Sequence, residues 1–188
     1  MTTDAHLGFL ALLPTGNDDG YLGALLVLNT MGVPVEFRAT FPVKPTLLQR
    51  TLYGESLEPY IGVELCGKPL LKSISHQLSL LIVNLAYLLP VRGGTDSPVL
   101  FLQRAGEAIE VTSAVTPNSS STNAKPHLES KTGRFQPVTI TVFDARPEDL
   151  EQARPMLEQV FAESDLLEPF DRVKLAVQTL QTQDKRFQ

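Results

Sequence analysis

Cys66 and His76 are the first two residues whose types could do chemistry together, since a thiol beside a histidine base makes a nucleophile. Cys66 is the only cysteine, and it lies in Val63-Glu-Leu-Cys-Gly67, an apolar stretch where a small buried cysteine is the ordinary expectation. One cysteine also excludes an intrachain disulfide and a cysteine-rich zinc site. A metal-dependent hydrolase or nuclease is an alternative, and it needs carboxylates that converge. Asp18, Asp19, Glu36, Glu64 and His76 are the set from which such a centre would draw, brought together only by the fold. Asp18 and Asp19 themselves read as a turn: Gly16-Asn-Asp-Asp-Gly20 lacks the ligand spacing of a calcium loop. Arg92-Gly-Gly-Thr95 lacks the lysine and helix start of a phosphate loop, and no nucleophile elbow occurs. No catalytic residue, metal or cofactor is therefore expected.

The most distinctive piece is Tyr53-Gly-Glu-Ser-Leu-Glu-Pro-Tyr60-Ile-Gly-Val-Glu64. Tyrosines suit a surface that is apolar on one side and wet on the other. Tyr53, Glu55, Glu58, Tyr60 and Glu64 are accordingly the interaction candidates, against the plainer possibility that both tyrosines pack on a sheet. A pocket beside the kinked helix here would make a small-ligand-binding domain, a further alternative.

These residues need elements to position them. Leu7–Leu13 reads as a buried strand closed by a turn cluster. Leu22–Leu28 and Val33–Thr40 flank Asn29-Thr-Met-Gly32, which has hairpin chemistry. Pro45 and Thr46 open a helix that breaks at Gly54, and a second helical stretch follows over 57–73. Gly62 and Gly67 in that stretch predict close backbone packing or a kink. Strands follow near 78–84, 98–104 (after a turn at 92–96), 108–112 and 138–143. Asp144 is expected to cap a helix starting near Arg146 and bent at Pro155, and Asp165 or Glu168 to open the last one. The order implies an α+β fold: a largely antiparallel sheet flanked by helices, with a long mobile loop before a C-terminal strand-helix-helix segment.

Composition divides the chain. Residues 114–136 hold seven Ser or Thr and five apolar residues in 23, too few to offset ordering, so they read as a mobile insertion or linker. Residues 1–113 carry 17 charges and 54 apolar side chains, whereas 137–188 carry 16 charges in less than half the length. The charge-poor front calls for a large core or a covered interface. Residues 1–188 are expected to form a single domain, with 137–188 as an extension returning to its sheet. The net charge of −5 and the pI of about 5.2 argue against nucleic acid. The longest apolar run, 78–89, is interrupted by Asn84 and is too short to span a bilayer, and the N-terminus lacks a basic start. The expectation is a cytosolic protein without membrane contact.

The run Gly20-Tyr-Leu-Gly-Ala-Leu-Leu-Val-Leu-Asn-Thr-Met-Gly-Val-Pro-Val35 resembles the first hairpin of the roadblock/LC7 family, and residues 20–113 resemble it in element order. The resemblance implies a non-catalytic regulatory module that dimerises or binds a protein partner. A homo-oligomer or a protein partner, and no nucleic acid, is the resulting expectation.

Overall fold

The computed structural model describes residues 5–16, 19–106 and 126–187. Strand β1 (His6–Pro14) is an interior strand of a seven-stranded sheet, and nearly all of its side chains are apolar and can be buried on both faces. β2 (Tyr21–Asn29) pairs with it antiparallel, and β3 (Pro34–Ala39) returns antiparallel to β2 through the expected turn, with Gly32 at φ 75°. β4 (Leu80–Val83) lies on the other side of β1 and runs parallel to it, and β5 (Val99–Arg104) runs parallel to β4. β7 (Val138–Val142) is antiparallel to β5, and the two-residue β6 (His127–Leu128) closes the edge. The order is β3-β2-β1-β4-β5-β7-β6. The fold class is α+β, and the sheet is mixed rather than largely antiparallel: β1, β4 and β5 share one direction.

One face of the sheet carries α1 (Leu47–Tyr53), α2 (Leu57–Tyr60), a π-helical stretch (Ile61–Gly67) and α3 (Lys68–Ser73). Thr46 caps α1, its hydroxyl accepting from the Gln49 N–H while the Gln49 side chain returns to the Thr46 N–H. Gly62 permits the widened turns. A Cβ there would drive into Leu88, on the 3₁₀ segment Ala86–Gly94. That segment was not expected, since Pro90 and the Gly93-Gly94 pair oppose helix; burial of Leu88, Leu89 and Val91 overrides propensity.

The other face is covered by α4 (Asp149–Glu163) and α5 (Glu168–Gln183). α4 starts three residues later than expected, at Asp149, and Asp144 caps nothing. Ala153, Leu157 and Phe161 form its buried stripe, and Val173 and Val177 that of α5. The later part of the 114–136 stretch carries β6 and the stacked pair Phe135–Phe161, with ring centroids 5.8 Å apart. Its earlier part, and the strand expected over 108–112, lie outside the described residues. Among those described, no helix is long and apolar enough to cross a membrane.

Asp149 is fully buried and joins the two layers. Its Oδ2 accepts from Arg92 Nε at 2.8 Å and from the Val99 N–H at 3.1 Å, while Arg92 Nη1 donates to the Thr95 carbonyl at 2.6 Å. Removing one partner strands a buried charge, a change that costs about 3–5 kcal/mol. Asp149→Ala should lower the unfolding free energy by about that amount in urea titrations. The substitution Glu148→Ala, at the exposed preceding residue, should change it by less than about 0.5 kcal/mol.

Candidate functional site

In open α/β sheets, ligands bind outside the carboxyl ends of parallel strands where connections diverge to opposite sides. Here that point lies between β1, whose chain leaves toward β2, and β4, whose chain leaves toward β5. β1 ends there with Leu12, Leu13 and Pro14. β4 exits into Asn84, whose Oδ1 accepts from the Leu12 N–H at 3.1 Å and whose Nδ2 donates to the Leu12 carbonyl at 3.3 Å. The Asn84 amide thus extends the ladder and is spent on backbone.

Above this edge sits a carboxylate held by two phenols. Tyr21 opens β2 opposite Pro14, and its hydroxyl donates to Glu58 Oε1 at 2.7 Å. Tyr87, four residues past the end of β4, donates to Glu58 Oε2 at 3.3 Å. Burial first, and the Glu58 carboxylate second, push the Tyr21 phenol above its ordinary value, and burial does the same to Tyr87. Both hydroxyls are protonated donors at neutral pH. Two cations border the cluster. Arg50 Nη2 donates to the Asp19 carbonyl at 2.8 Å, and Lys44 Nζ lies 3.2 Å from Asp19 Oδ2. The Thr15 hydroxyl, at 2.8 Å, and Lys44 hold the Asp19 carboxyl below its ordinary value.

Of the interaction candidates, Glu58 alone joins this cluster. The rings of Tyr53 and Tyr60 meet at a tilt of 38° with centroids 5.2 Å apart, and they stay 41% and 40% exposed. Glu55 is exposed, and Glu64 pairs with Lys68 at 2.6 Å. The metal-ligand candidates separate. Asp19 is at the β1–β2 turn, Glu64 is on the π-helical stretch, and Glu36 pairs with His76 Nδ1 at 2.8 Å beside His6. Asp18 lies outside the described residues. Among those described, no three His, Cys, Asp or Glu side chains converge to hold a metal. Cys66 is buried and its thiol is pushed up by burial, while His76 faces Glu36; the two form no nucleophilic pair. A cavity of about 280 Å³ lined by Leu7, Phe9, Met31, Leu166 and Arg172 is on the α4–α5 face, and another of about 360 Å³, lined by Leu71, Ile74, His76 and Thr95, lies at the end of the kinked helical stretch.

Tyr21, Tyr87 and Asn84 were not expected at a site. Asn84 interrupts the apolar run that supplies β4, and that interruption was the available signal.

No family model and no curated protein matches the sequence. Solved structures do. The catalytic domain of human Endonuclease V superposes with a TM-score of 0.57 and 15% identity, over 96% of this chain and 85% of that one. Endonuclease V of Bacillus subtilis gives 0.56 and 10%, over 94% and 81%. Endonuclease V of Ciona intestinalis, in complex with a 23mer DNA containing an inosine followed by a ribo-adenosine, gives 0.55 and 11%, over 97% and 88%. The fold is that of Endonuclease V. The roadblock/LC7 expectation is overturned, and with it the self-associating regulatory module. A hairpin is local and common, whereas the Endonuclease V likeness spans nearly the whole sheet and both helical layers. The exclusion of nucleic acid falls too, because net charge is a whole-chain sum and a protein of this fold is seen bound to DNA.

Away from the edge, His76, the Ser75 N–H and Arg38 hold the Glu36 carboxyl down from 4.5 to about 2. A depressed carboxyl contributes stability that is complete above its unfolded value and lost as pH falls through the folded one. The difference in urea midpoint between wild type and Glu36→Gln should therefore be full near pH 6 and shrink as pH falls from about 4.5 toward about 2. A difference that stays constant over that range would refute the pairing.

Proposed function

We propose that this protein binds nucleic acid across the carboxyl edge of β1 and β4, using the segment from Tyr53 to Glu64 as its contact surface. The observation that carries this is an exposed pair of tyrosines in mutual contact in the same segment as Glu58, with Arg50 and Lys44 bordering that edge. Aromatic faces stack on bases of any sequence, and basic side chains track the backbone. The fold supports the same reading, since the Ciona Endonuclease V structure that resembles this one holds an inosine-containing DNA.

Within this surface, Tyr53 and Tyr60 are the stacking residues and Arg50 and Lys44 the phosphate contacts. Glu55, Glu58 and Glu64 set a limit on how closely a backbone can approach, because carboxylates repel phosphate. A strand must pass on the tyrosine and Arg50 side.

Fluorescence anisotropy with labelled single-stranded DNA, single-stranded RNA and an inosine-containing duplex tests the proposal. Binding should weaken with added salt, as phosphate contacts require. Tyr60→Ala should cost about 1–3 kcal/mol of binding free energy, the usual value for one stacked base. Arg50→Ala should flatten the salt dependence. Binding unchanged in both variants would place the contact surface elsewhere, and no binding to any probe would remove the proposal.

A further inference from the structure

The edge that carries the proposed surface lacks what backbone cleavage by metal ions demands. Nucleases that use two metal ions hold them with carboxylates converging on the attacking and leaving oxygens. At the ends of β1 and β4 this chain has Leu12, Leu13, Pro14 and Asn84. The Asn84 amide is consumed by the Leu12 backbone. Two acidic side chains described near this edge are already engaged. Asp19 is held by Thr15 and Lys44, and Glu58 accepts from Tyr21 and Tyr87 on its two oxygens. The two phenol donors take one site on each Glu58 oxygen, and no third ligand stands beside that carboxylate among the described residues. The described residues at this edge therefore do not fit a hydrolytic metal pair.

From this donor set we infer that the protein recognises nucleic acid at this edge without metal-dependent cleavage of its backbone. The inference rests on the proposed nucleic-acid function. It gives that function a direction: the Glu58 carboxylate, still negative but hydrogen-bonded by two phenol hydroxyls, borders the strand's path where a hydrolytic enzyme would present bare carboxylates. That carboxylate is held rigidly, since each phenol is anchored on a different element, Tyr21 on β2 and Tyr87 on the segment after β4.

Two measurements on the full chain separate the possible failures. The first incubates labelled single-stranded DNA, single-stranded RNA and inosine-containing duplex with excess protein and Mg²⁺ or Mn²⁺. Anisotropy reads binding and denaturing gels read cleavage. Bound and intact probes support the inference. Cleavage that needs the metal and co-elutes with the protein on size exclusion overturns it, while leaving nucleic-acid binding in place. Absence of binding to every probe overturns the nucleic-acid function and recognition at this edge together. The second is calorimetric titration of the protein alone with Mn²⁺, which reads the donor set without any nucleic acid. No heat of binding at millimolar Mn²⁺ is the expected result. A saturable site lost in Glu58→Gln would overturn the inference, because Glu58 would then be a metal ligand.

Discussion

The pairing of Arg92 with Asp149 holds the molecule's layers in register. Arg92 lies in the last turn of the 3₁₀ segment on one face of the sheet, Asp149 starts α4 on the other, and Asp149 also accepts from the N–H of Val99, the first residue of β5. A buried pair of this kind adds little net stability over apolar residues of the same shape. Its effect is on specificity. The two faces of the sheet carry separate apolar clusters, each of which a helix could cover in several ways. Only one arrangement lets Asp149 find both a guanidinium and a backbone N–H in the absence of water, because any slip leaves a charge buried alone.

That constraint follows from how the sheet is built. β1, β2 and β4 are apolar nearly throughout, so water must be kept from both faces. Two helical layers are then required, and the chain supplies one before β5 and one after β7. The low charge of residues 1–113 is accounted for by this two-sided burial. Away from the sheet faces the same part of the chain leaves apolar side chains unburied: Leu47, Leu48 and Leu52 on α1 stand exposed, and α1 buries none of its residues.

Legibility in the sequence followed the range of the interaction. β1, the β2–β3 hairpin, the Thr46 cap and the glycine-rich π-helical stretch are local, and each can be read from spacing and turn residues alone. The parallel pairing of β4 with β1 joins Leu7 to Leu80 across the hairpin and the helices, and nothing in either strand states a direction. A hairpin common to many folds therefore suggested the wrong family. The site divides in the same way. Glu58 could be singled out among its neighbours, but its partners lie 37 residues before it and 29 after it. Asn84 was visible as a polar interruption of an apolar run, whereas Tyr87 was counted within it. Their roles depend on where β1 ends, which only the fold determines.

A likeness of 10–15% identity with the fold retained is informative about which constraints persist. A sheet with two apolar faces tolerates wide exchange among Leu, Val and Ile, provided volume and pattern are kept. The carboxyl edge is under a different constraint, because the residues there are polar groups that must be satisfied by one another or by something bound. In this chain they are satisfied internally: Asn84 by the Leu12 backbone, Glu58 by two phenols, and Asp19 by Thr15 and Lys44. Each of these described groups therefore has a partner within the protein. Tyr53 and Tyr60, exposed beside that edge, are the groups left with faces to offer a ligand. With Glu55, Glu58 and Glu64 in the same segment, a strand held there would depend on stacking against the tyrosines and on Arg50 and Lys44 at the rim, and not on a surplus of positive charge.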